Sequence, residues 1–307
     1  MQGQITVGGG RPTGAPRVQP TLQARSGRLR ARKLANLLMT GLIGLSALVA
    51  VGILFIILGY IIYRGAPSLN LAFFTEDPRP EGVAGGGVRP AIVGSLAVIG
   101  LGGLIGIPIG VGTGIYLAEF GRGRFASIVR FVADLLTGLP SIAIGAFVAA
   151  ILVRRVFGSF NAFAGGFALA IIMIPIIART VEEILKLVPN TLREASLALG
   201  TPQWKTIVSV VLPVARSGIL TGIVLSLARA GGETAPLLLT ILGNQFLSWD
   251  LRGPIAALPL QIYRYAASPS ADFNNKAWTA SLVLIIVIAL LSLTVRLAAR
   301  QAQRAGR

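Results

Sequence analysis

Charged residues stand inside largely apolar runs, and four of them have the spacing to offer chemistry. Arg229 and Glu233 lie four apart within 217–242, and Arg179 and Glu183 repeat that spacing within 163–187. Such a side chain at the centre of a membrane helix costs ~2.5–3.5 kcal/mol, so each is expected to face a bundle interior or a water-filled path. Arginine keeps its charge when desolvated and offers a planar fork to an oxyanion, which lysine cannot match. Arg229 and Arg179 therefore read as donors along an anion path. The plainer alternative is an i,i+4 ion pair within each helix, although Glu233 on the C-terminal side of Arg229 is the less favoured order. Asp134 is a further carboxylate able to neutralise either arginine.

These residues matter only if the runs that carry them cross a membrane. Of 307 residues 54% are hydrophobic and 13% charged, about half the charge of a soluble domain, which carries ~25%. The run 34–63 is free of charge and long enough for the ~30 Å hydrocarbon layer. It starts too late, and is too long, for the apolar core of a signal peptide. Further runs cover 90–118, 135–153 (beginning near Ile128), 163–187, 217–242 and 277–295. The expected fold is all-α, a polytopic membrane protein with six transmembrane helices. Residues 1–33, rich in Gly, Pro and Arg, read as a disordered basic tail, and 64–89 and 243–276 as loops.

The net charge is +17. Basic residues crowd the two ends: Arg11, Arg17, Arg25, Arg28, Arg30, Arg32 and Lys33 at one, Arg296, Arg300, Arg304 and Arg307 at the other. Basic flanks on apolar spans follow the positive-inside rule and put both termini on the cytoplasmic face. A nucleic-acid partner would need a basic face on a folded domain, and none is expected. Arg154 and Arg155 run against the rule, since six spans place them outside. With neither cysteine nor histidine, the chain has no disulfide, thiolate nucleophile, His-ligated metal or imidazole acid–base chemistry. No cofactor and no metal are expected.

Gly102, Gly106, Gly110 and Gly114 share one face of the second span. Small faces let membrane helices approach closely, and Pro108 between them is a candidate kink.

The polar insert 189–213 has helix signals of its own. Thr191 and Glu194 stand in the capping-box relation, and Leu192, Ala195, Ser196 and Leu199 fall on one helical face. Gly200 suits a left-handed C′ position. Thr201 with Pro202 opens a second short helix. Then Glu194-Ala195-Ser196, three residues, Gly200, nine residues and Val210-Val211-Leu212-Pro213 resemble the EAA signature of ABC-importer permeases. Ser196 replaces the usual alanine and Val210 the usual isoleucine. The resemblance implies a coupling helix at 191–200 that seats on an ATP-hydrolysing subunit, with Glu194, Ala195, Gly200, Leu212 and Pro213 as the coupling residues. A Walker A loop ends Gly-Lys-Ser/Thr, whereas the Lys-Thr pair here, Lys205-Thr206, follows Trp204. Nucleotide hydrolysis then belongs to another polypeptide, and this chain is no enzyme.

Arg229 to Leu238, reading RAGGETAPLL, closely resembles the PstA subfamily of phosphate ABC-transporter permeases. Asn244-Gln245-Phe246, Pro254-Ile255-Ala256 and Ala267-Ser268-Pro269 add to the likeness, which spans 34–295. It implies a type I permease core over 90–297, a first transmembrane helix at 34–63, a periplasmic loop at 64–89 and a cytoplasmic tail at 298–307. The implied setting is the bacterial inner membrane, with both termini cytoplasmic. Implied partners are a second permease subunit, a dimer of cytoplasmic ATP-binding subunits, an external phosphate-binding protein and membrane lipid. Arg229, Glu233 and Arg179 become the pathway residues for inorganic phosphate. Hydrogen phosphate carries a proton that sulfate lacks, and Glu233 is placed to accept its hydrogen bond. The rivals are import of another oxyanion, such as phosphonate or sulfate, and a passive anion channel. A channel has no use for the 194–213 element.

Overall fold

The computed structural model describes residues 26–83 and 85–305, and they form helices joined by short turns. In chain order these are α1 (Ser26–Gly65), α2 (Leu71–Thr75), α3 (Arg89–Ile115), α4 (Gly123–Gly138), α5 (Ser141–Val148), α6 (Ala162–Lys186), α7 (Asn190–Ala198), α8 (Gln203–Thr206), α9 (Leu212–Gly231), α10 (Ala235–Thr240), α11 (Leu258–Ala266) and α12 (Ala271–Ala305). π-Helical turns extend α3 (Tyr116–Phe120) and α5 (Ala149–Phe157), and a third (Ile207–Val211) joins α8 to α9. The chain divides into two compact units, one ending at Leu58 and the other beginning at Gly59.

Among the described residues five helices are long and apolar enough to cross a membrane, and a sixth crossing exists if α4 and α5 count together. That pair is bent by 103°. The straight third span expected over 135–153 is therefore broken. Pro140 has no N–H to continue the ladder, and Leu139 before it is extended (φ −70°, ψ 137°), as a residue preceding proline prefers. The fifth run is interrupted too. α9 stops at Gly231, and α10 starts with Pro236 in its first turn. Pro108 and Pro175, by contrast, lie within continuous α3 and α6.

Helix α1 begins at Ser26, ahead of its apolar run, and its side chains are exposed along most of its length. The rest of the basic N-terminal tail lies outside the described residues. At the other end the expected tail is helical as far as Ala305.

In the second unit α6 is the central helix, because small residues let its neighbours close on it. A Cβ on Gly106 would meet Met173 Cβ at 3.2 Å, on Gly110 Ile177 Cβ at 2.8 Å, and on Gly114 Val181 Cβ at 2.6 Å. The glycine face of α3 is thus filled by every fourth residue of α6, as its spacing led one to expect. On another side α9 brings Gly218 onto Ile184 and Gly222 onto Thr180. The expected loop 243–276 is not a plain loop. It holds α11, whose Leu258, Leu260 and Tyr265 are buried, Leu258 and Tyr265 in one cluster with Phe73, Ala280 and Val283.

Candidate functional site

Between α4, α6 and the break after α9 lie two adjoining cavities. One, of about 240 Å³, is lined by Thr137, Pro140, Ser141, Ile176, Arg229 and Glu233 among others. The second, of about 500 Å³, is lined by Asp134, Thr137, Gly138, Pro175, Ile176, Arg179 and Thr180. Thr137 and Ile176 belong to both walls, so a single stepped cleft carries all three proposed pathway residues. The two helix breaks create it: had α4 run on straight past Leu139, its backbone would not fold back over this space.

Along the cleft the two arginines stand at different depths. Arg179 is seven residues from the end of α6, roughly 10 Å at the helical rise, and Arg229 is seventeen residues beyond the start of the antiparallel α9, roughly 25 Å. Arg229 has a side chain 60% exposed, and its Nε is 4.0 Å from Glu233 Oε1. At that separation the pair is an ion pair without a hydrogen bond. Glu233 lies in the turn between α9 and α10, not a further turn along one helix as the sequence spacing suggested. The Gly231-Gly232 pair and Pro236 account for the interruption.

Arg179 is held far more firmly. Its Nε donates to Asp134 Oδ1 at 2.9 Å and its Nη2 to Asp134 Oδ2; Nη2 also reaches the carbonyl of Arg130, at 3.3 Å, and Nη1 reaches Glu182 Oε2 at 3.2 Å. Asp134 is indeed its counter-ion. Glu183, the expected i+4 partner, faces outward and makes no such pair. Glu182 takes that place with a side chain 2% exposed, accepting also from Arg130 Nε at 2.7 Å and Lys186 Nζ at 2.6 Å. Arg130, Arg179 and Lys186 thus converge on the one buried carboxylate of Glu182. A signal for Glu182 was present in the sequence: glutamate four residues ahead of Lys186 is the favoured helical order.

The insert forms helix α7, followed by Gly200 in the left-handed region (φ +78°) as expected. No capping box forms. α7 starts at Asn190 behind Pro189, which leaves Thr191 inside the first turn with no side-chain cap. The second helix opens after Pro202 and runs through the π turn Ile207–Val211 into α9. Ser196 turns inward, sharing a 2.9 Å hydrogen bond with Thr206. Glu194, Ala195 and Gly200 are exposed, as are Leu192, Leu197 and Leu199, the last at 87%. At the start of α9 Leu212 is half-buried and Pro213 exposed. Leu192, Leu197 and Leu199 thus give the α7 end an open apolar rim, the kind of surface that marks interaction sites.

Residues 110–306 match the family of binding-protein-dependent transport system inner membrane components. The phosphate transport system permease protein PstA of Haemophilus influenzae is 48% identical over 268 residues, 87% of this chain and 94% of that relative. This chain belongs to that family. The PstA protein of Pasteurella multocida is 46% identical over 267 residues, and PstA 1 of Mycobacterium tuberculosis (strain H37Rv) 42% over 215. A chain of the MetNI methionine ABC transporter, in an inward-facing crystal form, superposes with a TM-score of 0.53 at 20% identity, covering 70% of this chain and 94% of that one. That likeness is one of fold alone.

A PstA-type permease is an integral, multi-pass membrane protein, and its residues divide here into two sites. The stepped cleft gathers Arg229, Glu233, Arg179 and Asp134, with Glu182 and Arg130 bonded to Arg179 behind its wall; of these partners the sequence had offered only Asp134 as a counter-ion. The α7 end gathers Glu194, Ala195 and Gly200, with Leu212 and Pro213 one helix away.

Proposed function

We propose that this chain is the transmembrane permease subunit of an ATP-driven importer for inorganic phosphate, lying in the bacterial inner membrane with both termini cytoplasmic. The observation that carries the reading is Arg229, a permanently charged fork open to the cleft and without a hydrogen-bonded carboxylate. An oxyanion entering there finds a donor ready, with Glu233 beside it to accept a hydrogen bond from the O–H that hydrogen phosphate carries and sulfate lacks. Passage inward leads to Arg179, which can take the anion only as Asp134 lets go.

The chain's exposed α7 rim fits the role of seat for a separate ATP-hydrolysing subunit, present as a dimer. Glu194, Ala195 and Gly200 would meet it, and closure of that subunit would tilt the spans between outward and inward access. A second permease subunit and an external phosphate-binding protein complete the assembly in this reading; the family's description as binding-protein-dependent supports the second of these.

Labelled-phosphate uptake in the native host, with the gene deleted and then restored, tests the reading. The expected result is rescue by wild type and not by Arg229→Gln, unaffected by excess sulfate and abolished when ATP is depleted. Equal rescue by both forms would make Arg229 structural, and rescue that survives ATP depletion would favour a passive channel.

A further inference from the structure

Two side chains of α7 turn inward: Ser196, bonded to Thr206, and Arg193, the one that carries charge. Arg193 is 17% exposed and points back into the bundle, where it meets Glu119, 6% exposed, in the π turn that ends α3. Arg193 Nε lies 3.3 and 3.2 Å from the two Glu119 oxygens, and Nη2 donates to Oε1 at 2.6 Å. The remaining donors are used as well. Nη2 reaches the Leu185 carbonyl at 2.9 Å, and Nη1 reaches the Val188 carbonyl at 2.6 Å and Asn190 Oδ1 at 3.4 Å.

All five N–H groups of this guanidinium therefore have acceptors, on three separate pieces of chain. Two of those acceptors are backbone carbonyls where α6 ends: Leu185, in its last turn, which also accepts from the Val188 N–H, and Val188, two residues past the helix. A buried ion pair is weak evidence for stability, because desolvation offsets most of the attraction. What it fixes is geometry, and a five-donor fork fixes it more tightly than any point charge.

We propose that Arg193 and Glu119 are positioning residues: a rigid joint locking α7 to the ends of α3 and α6, so that a displacement of α7 moves both spans together. The inference rests on the coupling role proposed above for α7. α3 and α6 are themselves locked by the glycine face, and α6 carries Arg179. A push at α7 then reaches the Arg179–Asp134 pair through rigid elements, whereas a loose joint would absorb it as rotation of α7 alone.

The test uses the whole transporter, purified with its ATPase, comparing wild type with Arg193→Lys, Arg193→Gln and Glu119→Gln. Phosphate moved per ATP hydrolysed is expected to fall at least about tenfold in the glutamine variants, and in Arg193→Lys as well, since lysine keeps the charge but loses the fork. The ATPase should still co-purify, because the outward face of α7 is unaltered. A wild type that moves no phosphate would overturn the proposed function. A working wild type with variants inside about twofold of it would overturn the joint alone. As a readout independent of transport, the chain has no native cysteine, so spin labels at Leu199→Cys and Arg122→Cys report one distance. That distance is expected to be narrowly distributed with Arg193 present and broad in Arg193→Gln. An unchanged width would sink the proposal even if the variants accumulate poorly.

Discussion

Arg179 grips both carboxylate oxygens of Asp134 across the gap between α6 and α4. The other arginine of the cleft has no such partner, so the two cationic sites are in unlike states: one open, one shut by an internal anion. On the proposed path an arriving phosphate would compete with Asp134 for the same fork, and the two outcomes would differ by one carboxylate's movement. Replacing Asp134 by Asn removes the competitor without removing bulk. We expect maximal uptake to fall about tenfold while KM stays level or drops, because an anion no longer displaced by Asp134 is held longer; one charge-assisted hydrogen bond is of that order. Initial rates over a range of phosphate concentrations measure both quantities, and an unchanged maximal rate would remove Asp134 from the path.

Glu182 and Glu183 should behave in opposite ways despite being neighbours. Glu182→Ala strands Arg130, Arg179 and Lys186 around an emptied buried position, at an expected ~2 kcal/mol, the low side for a broken buried pair because Arg130 and Lys186 remain partly exposed. Glu183→Ala alters an outward-facing residue and should shift stability by less than ~0.5 kcal/mol. Thermal unfolding of the purified complex in detergent distinguishes them.

That contrast marks where the sequence was readable and where it was not. Apolar runs located the spans, since composition alone decides what hydrocarbon tolerates. The short helix of the insert and its glycine were readable because helical periodicity and left-handed backbone are local matters, although the expected capping box does not form. The breaks were not. Pro140 and Pro236 end or restart helices, while Pro108 and Pro175 sit inside intact ones, and the difference lies in what neighbouring helices offer the freed backbone groups. For Arg179 the sequence offered Glu183 or Asp134, and the choice of Asp134, with Glu182 and the Arg130 carbonyl added, is made by the packing of α4 on α6. Long-range pairing of this kind leaves no local pattern.

The glycine face of α3 gives a graded prediction. On Gly114 an added methyl would stand 2.6 Å from Val181 Cβ and 2.7 Å from the Ala178 carbonyl, whereas Gly112 has open space. Gly114→Ala should cost ~1–3 kcal/mol as overpacking. Gly112→Ala should be neutral or slightly stabilising, since alanine is the better helix former. Membrane yield and thermal stability of the two variants, side by side, give the comparison.

Gly200 separates backbone from packing. It has φ +78° and no atom near its missing Cβ, so Gly200→Ala pays only conformational strain, ~1 kcal/mol or somewhat more. Gly200→Asn should recover part of it, because asparagine tolerates the left-handed region. The expected readout is weaker co-purification of the ATPase for alanine than for asparagine, with unaltered chain in the membrane; identical retention would mean that the turn after α7 is not part of the seat.

The π turn at Ile207–Val211 stands between the α7 end and the helix that carries Arg229. Such a turn holds one residue more than the α-helical path around it needs. Helical phase on its two sides is therefore not linked by simple counting: a residue can be lost within 207–211 while everything beyond keeps its facing. The same loss between Leu212 and Arg229 would swing the arginine by about 100° around the axis, out of the cleft. Two single-residue deletions a few positions apart thus differ in kind, one a change of length that the helix can absorb, the other a change of direction that it cannot.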